Sequence, residues 1–115
     1  MNIIAKSSNI ATPIDLYKLT QAPDRQKLTN AKGSTLELDS WVLYEEQDAK
    51  GNTIKLLSLA TKDGTAYCTN SATFCRDFES AIAMFKEFGE EFHIIEVLTG
   101  TSKNGRDFIS CKVLG

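Results

Sequence analysis

A mainly β fold with one long helix follows from three observations on this 115-residue chain. Segments rich in Val, Ile, Thr, Tyr, Phe and Trp recur at Thr35–Glu45, Thr53–Thr61, Thr65–Thr69, Phe92–Thr99 and Arg106–Leu114. Glycine-bearing turns separate the members of each group, and a helical stretch, Ser71 to Phe88, stands between the third and fourth segments. The order strand, strand, strand, helix, strand, strand is that of a five-stranded OB-like Greek-key barrel with one helix between strands 3 and 4. A short helical N-terminal extension precedes it. Residues 1–33 are expected to pack on the barrel as that extension, and residues 34–115 to form the barrel domain.

In the first strand the apolar alternation starts on Leu36 and Leu38, then shifts phase to Trp41 and Leu43, or runs on through Ser40 to Val42 and Tyr44. A bulge near Asp39 and Ser40 accounts for the shift. Asp48, Lys50, Gly51 and Asn52 mark the next hairpin loop. Lys62-Asp63-Gly64 marks a tight turn, because Asp-Gly tolerates the positive φ of a two-residue hairpin.

Asn70 or Ser71 is placed to cap the helix, since either side chain accepts a hydrogen bond from a free N–H of the first turn. Phe74, Phe78, Ile82 and Phe85, with Cys75 and Ala81 beside them, form one apolar stripe at helical spacing, and Gly89 is placed to end the helix. The stripe reads as core. Asn104-Gly105, inside Gly100-Thr101-Ser102-Lys103-Asn104-Gly105, joins the last two strands as a hairpin. In the N-terminal third, Thr12 as cap, Pro13 in the first turn and Asp15 near the positive helix end predict a helix to about Thr20. Ala22-Pro23-Asp24 breaks it, and Arg25 to Lys32 with Gly33 reads as a basic turn or short helix.

Length and a 42% hydrophobic content suit one core and one domain. No apolar run is long enough to span a membrane, and Met1 to Lys6 lacks a secretory apolar core, so the expected location is the cytosol. Cys68, Cys75 and Cys111 form an odd set with no C-x-x-C pair, which points to reduced thiols rather than a disulfide framework or a zinc site. The single histidine, His93, falls in a predicted strand without a nucleophile partner. Glu45 with Glu46, and Glu90 with Glu91, are adjacent acids that point opposite ways in a strand, so neither makes an acid-base couple. An enzyme is not expected, and no catalytic residue, metal ligand or cofactor is predicted.

The net charge of −2 is unevenly distributed. Residues 1–33 hold five basic and two acidic residues and residues 101–115 hold three and one, so the ends carry +3 and +2 and the middle −7. Much of the acid is Asp77, Glu79, Glu87, Glu90, Glu91 and Glu96, in and just beyond the helix. In the last strand Ile109, Cys111 and Val113 share one face, which leaves Arg106, Phe108, Ser110 and Lys112 on the other. An arginine, an aromatic ring and a lysine in one row, beside Lys103 at a loop tip, combine a stacking platform with phosphate contacts. The competing reading is an edge strand protected by charge, with Phe108 covered by the N-terminal segment. If Ala66 and Cys68 face the interior, Tyr67 faces outward as a second platform. Trp41 and Tyr44 cannot both share one face without a bulge, so at most one of them is expected to reach a ligand. Lys55 and Lys62 are candidates for the same groove, although an outward Lys55 also places Leu57 and Leu59 outside.

Three short motifs, Leu16-Tyr17-Lys18-Leu19-Thr20, Thr69-Asn70-Ser71, and Gly100-Thr101-Ser102-Lys103-Asn104-Gly105-Arg106-Asp107-Phe108, resemble small single-stranded DNA-binding proteins of phages of Gram-positive bacteria. The resemblance spans most of the chain from about residue 12. It implies an OB-like fold and a role in phage DNA replication or recombination inside the host cell, without supplying contact residues. The chain lacks the acidic C-terminal tail of the larger bacterial single-strand binders. Single-stranded DNA is the expected partner, with phage replication or recombination proteins and self-association as further candidates and no membrane. The rival expectation is a phage-encoded protein-interaction module, supported by the acidic middle and by an outward Leu57 and Leu59.

Overall fold

The computed structural model describes residues 1–115. The elements are β1 (Asn2–Lys6), α1 (Pro13–Thr20), β2 (Gln26–Lys27), a 3₁₀ turn (Leu28–Ala31), β3 (Thr35–Gln47), β4 (Thr53–Thr61), β5 (Ala66–Thr69), α2 (Ala72–Glu87), β6 (Ile94–Thr101) and β7 (Asp107–Val113). The molecule is mainly β, a curled mixed sheet forming a half-barrel with two helices. The strand order is β2-β5-β4-β3-β6-β7, with β1 also paired to β3. Every pairing is antiparallel except that of β2 with β5. β5 and β7 are not hydrogen-bonded neighbours, so the curl is left open between them.

β3 links the two halves of the sheet. Its first residues, Thr35 to Glu37, pair with β6, while Leu38 to Gln47 pair with β4 and Val42 to Glu45 also with β1. The register slips between Leu38 and Ser40, where the alternation of the sequence predicts a bulge. An extra residue there bends the strand and changes the phase, so Leu36, Leu38, Trp41 and Leu43 all reach the main core.

All three hairpins use one turn design. In Asp48–Asn52, Thr61–Thr65 and Ser102–Arg106 the fourth residue's N–H donates to the first carbonyl, and the first N–H donates to the fifth carbonyl. The fourth residue is Gly51, Gly64 or Gly105, at φ 82, 92 and 76°, in the left-handed region where a side chain is strained. Asp48 Oδ1 accepts from the N–H of Lys50 and of Asn52, Asp63 Oδ1 from that of Thr65, and Ser102 Oγ from that of Arg106. The two-residue turn expected at Asp63-Gly64 is therefore one residue longer, and the connection expected over Gly100–Gly105 is shorter, because Gly100 and Thr101 belong to β6. Only the glycine takes positive φ, and Asp63 and Asn104 precede it at negative φ.

α2 closes the concave side of the sheet. Ser71 Oγ accepts the Phe74 N–H at 3.2 Å, and Gly89 at φ 69° follows the helix end, as the sequence predicts. Phe74, Cys75 and Phe78 are buried, and Ile82 and Phe85 pack against the same cluster. Phe78 meets Trp41 edge-on at 5.2 Å and Phe92 at 5.1 Å, and Phe85 meets Phe92 at 5.2 Å. Each such ring, removed from water, contributes roughly 1.5–3 kcal/mol, and this stripe fixes the helix to the sheet.

α1 covers part of the convex side. Thr12 Oγ1 accepts the Asp15 N–H at 3.3 Å, and Asp15 Oδ2 accepts the N–H of Thr12 and Ala11 at 3.1 and 3.2 Å. This capping box starts the helix where the sequence predicts, and it ends at Thr20. Leu19 and Ile10 then pack with Val42 and Tyr44, against Leu16, Leu56 and Ala60.

Two strands lie outside the five expected, so residues 1–33 enter the sheet as well as pack on it. In β1 the register shifts between Ile3 and Ala5, which breaks the period-two pattern that would reveal a strand. β2 is only two residues long, too short for any periodicity. His93 lies in the connection before β6 rather than in a strand, its N–H donating to Gly115 O at 2.7 Å. No helix is long and apolar enough to cross a membrane.

Candidate nucleic-acid interface

The structure divides the nine predicted contact residues into two groups. Trp41 retains 7% of its exposure and Tyr44 1%. The bulge in β3 sends Trp41 to the concave face, against Phe78, and Tyr44 to the convex face, beneath the α1 segment. Burial raises the Tyr44 phenol above its ordinary range, and its hydroxyl lies 3.3 Å from Ser58 Oγ. Neither ring is available to stack a base. Tyr67 pairs with Leu59 and packs against the main core, so β5 has the opposite phase to that expected and Cys68 faces the convex side beside Ser58. Cross-strand partners share a face, and the fully buried Leu59 fixes that face as interior. Leu57 is likewise fully buried, opposite Leu43.

Lys55 shares this interior face but sits at the mouth of the core, where its Nζ lies 2.9 Å from Glu79 Oε1 of α2. That hydrogen bond raises its pKa and commits the ammonium to the helix. Lys62 Nζ lies 3.5 Å from Glu37, an exposed pair that links the β4–β5 turn to β3. Both cations are paired with carboxylates.

Lys103, Arg106, Phe108 and Lys112 are all exposed on the β6–β7 hairpin. Ile109 is buried, and Cys111 and Val113 pack against the core, which leaves Phe108, Ser110 and Lys112 on the outer side of β7. Lys112 stands directly opposite Glu96, while Lys103 and Arg106 make no ion pair. Phe108 stands opposite Gly100, and its ring lies against that glycine. A Cβ built on Gly100 would meet Phe108 Cζ at 2.6 Å and both Cε atoms at 3.0 Å. The absent side chain makes room for the ring to lie on the backbone. One side of the ring rests there, and the side chain stays 39% exposed.

Beside this ring lies a concavity of about 580 Å³ lined by Thr29, Lys32, Thr99, Thr101, Asp107 and Phe108. A second, of about 570 Å³, is lined by Arg25, Lys27, Thr29, Leu56, Cys68 and Asn70. The two share Thr29 in the 3₁₀ turn. Together their walls carry Arg25, Lys27 and Lys32 against the single Asp107. The concavity between β1 and α2 instead balances Lys6 and Lys86 with Glu90 and Glu91, and that beside α1 carries Asp15, Asp24 and Asp39 against Lys18 and Lys62. Positive charge is thus concentrated where residues 25–33 pass β5 and the β6–β7 hairpin.

Arg25, Lys27 and Lys32 are absent from the residues that alternation singles out. Their signal is compositional: residues 25–36 hold these three cations and no acid. Arg25 donates from Nε to Ala22 O at 3.1 Å and from Nη1 to Leu19 O at 3.3 Å, which fixes the guanidinium at the C-terminal end of α1. Its Nη2 group makes no hydrogen bond within the protein. Lys27 and Lys32 are exposed and make no ion pair.

No group of three or more His, Cys, Asp or Glu side chains is arranged to hold a metal ion. The three cysteines are free. Burial pushes the Cys75 thiol up to about 11, and burial with the nearby Asp77 carboxylate pushes Cys111 up to about 12. No family model, curated protein or solved structure matches this chain.

Proposed function

We propose that this chain is a single-stranded DNA-binding protein without sequence preference, acting by occupancy rather than catalysis, in phage DNA replication or recombination within the cytoplasm of a bacterial host. The observation that carries this reading is the Phe108 ring seated on Gly100 between the unpaired cations of the β6–β7 turn and Lys32. A ring supported on one side and open on the other stacks any base, because every base has a π-face. Cations without carboxylate partners exchange their counterions for phosphates.

The fold supports the same reading. The order β5-β4-β3-β6-β7, with α2 between β5 and β6 and a long bulged strand shared by both halves, supports reading the half-barrel as an OB-like Greek-key barrel without its closing pair. OB-folds bind across their second and third strands and the two adjoining hairpin loops. The β6–β7 turn corresponds to one of those loops.

Fluorescence anisotropy of an end-labelled oligothymidylate, titrated with protein over a series of salt concentrations, tests the proposal. An external label is needed because Trp41 is buried. Binding that weakens steeply with salt, about equally on oligothymidylate and mixed sequence, supports it. Absence of binding at low salt removes it. The rival reading, a protein-interaction module, loses the outward Leu57 and Leu59 on which it was based, and a different apolar pair, Met84 and Phe88, is 59% and 76% exposed at the end of α2. Loss of function on polar substitution of Met84 and Phe88, with DNA affinity unaltered, favours that rival.

A further inference from the structure

We infer that the bound strand continues from the Phe108 platform across the open seam of the half-barrel, over the 3₁₀ turn at Thr29, and into a phosphate-binding subsite formed by Arg25 and Lys27. This inference rests on the proposed function and assigns it a path.

Three independent features define the route. The outer face of β4 and β5, where an OB-like protein would ordinarily lay its ligand, is covered by α1, which contacts both strands and packs against Leu56 and Ala60 of β4. A strand leaving the β6–β7 hairpin therefore has no open course over the centre of that face. The curl is unpaired between β5 and β7, and residues 25–33 cross this seam: Lys27 pairs with Cys68 of β5, and Gly33 N–H donates to Val97 O of β6 at 2.7 Å. Finally, the two concavities on either side of the turn, one lined by Lys32 with Asp107 and the other by Arg25 and Lys27 with no acid, meet at Thr29.

The chemistry of the second concavity suits a phosphodiester backbone rather than a base. It contains no aromatic residue, and it offers the Lys27 ammonium, the remaining Nη2 donors of Arg25, the Thr29 hydroxyl and the Asn70 amide. The hydrogen bonds from Arg25 to Ala22 O and Leu19 O hold the guanidinium in place, so little side-chain freedom is lost when a phosphate arrives. The hairpin end thus stacks a base, and the Arg25 end holds backbone.

The test uses the full chain and oligothymidylates of about 5 and about 15 nucleotides, the lower and upper range for an OB-type domain. Arg25→Gln with Lys27→Ala removes both cations of the subsite and leaves Lys32 at the Phe108 end, and a thermal melt confirms that the variant folds. The salt slope on the longer strand should fall by about 1.4, which between about 1 M and about 0.1 M salt is about a 25-fold loss of affinity at the lower concentration. Affinity for the shorter strand should change less, because it can remain at the Phe108 end. Lys18→Ala with Lys86→Ala removes the same charge from the other concavities and should leave the slope unchanged. Equal slopes for unaltered chain and Arg25/Lys27 variant overturn the path while leaving the function standing, as does an equal fall in the control. Failure of the unaltered chain to bind either strand overturns the function and the path together.

Discussion

Phe108→Ala separates stacking from packing at the proposed platform. The ring lies on Gly100 and is 39% exposed, so its removal uncovers a strand glycine and part of the β6–β7 surface rather than opening a cavity in the core. Truncating a fully buried phenylalanine costs about 3–5 kcal/mol, and the exposure here brings the expected stability loss below about 2 kcal/mol. A stacked base is worth about 1–3 kcal/mol, so the dissociation constant for oligothymidylate should rise about 5- to 150-fold. The lost group is neutral, and the salt slope should therefore not change. A second variant applies the opposite perturbation. Gly100→Ala retains the ring and every charge, but its Cβ falls 2.6 Å from Phe108 Cζ and forces the ring outward. The ring end is free to shift, so the fold should survive while binding weakens. Anisotropy titrations at several salt concentrations, with a thermal melt of each variant, read all three quantities. If Phe108→Ala keeps its affinity within about twofold and only its melting temperature falls, the ring belongs to packing and the stacking assignment is refuted.

Other outcomes follow from the fold. Ser71→Ala removes the hydroxyl that caps α2 and should cost about 1 kcal/mol, seen as a melting temperature lower by about 4 °C in calorimetry. The Asp15 carboxylate is held below its ordinary value by hydrogen bonds from the Ala11 N–H and then from Thr12. Its contribution is therefore fully present above about pH 4 and disappears as pH falls through the lowered folded value. Asp15→Asn should melt lower than the unaltered chain at neutral pH, and the difference should narrow as the pH is lowered below about 4. Burial holds Cys75 and Cys111 as neutral thiols, with values near 11 and 12. In the native protein at pH 8 both should react with a disulfide reagent far more slowly than after denaturation, as a timed labelling assay would record.

The parts of this fold visible in the sequence are those where one periodicity and one turn agree. Phe74, Phe78, Ile82 and Phe85 lie at helical spacing behind a Ser71 cap, and each hairpin glycine falls between two β-rich runs, so α2 and β3 to β7 emerge at close to their true limits. β1 is hidden by its register shift and β2 by its length. The site was harder to read because alternation assigns a residue to a face without saying what covers that face. The bulge in β3 was predictable, but the covering of Tyr44 by Ile10 and Leu19 joins segments far apart in the chain. The small side chains of Ala66 and Cys68 suit a tight interior and so point Tyr67 outward on pattern alone. In the half-barrel, pairing with Leu59 turns the ring inward and Cys68 outward. Lys55 is inward as well, and only the nearby Glu79 explains a charge on that face. The acid-free run from Arg25 to Leu36 was present as composition, but its importance depends on the open seam that it crosses.

Amide chemical-shift mapping of the isotopically labelled chain, titrated with an oligothymidylate of about 15 nucleotides, tests the central claim most directly. The largest shifts should cluster on Arg25 to Gly33 and on Thr99 to Lys112, with α2 and α1 nearly silent. Shifts centred on the exposed faces of α1 or α2, or no shifts at low salt, would contradict the account.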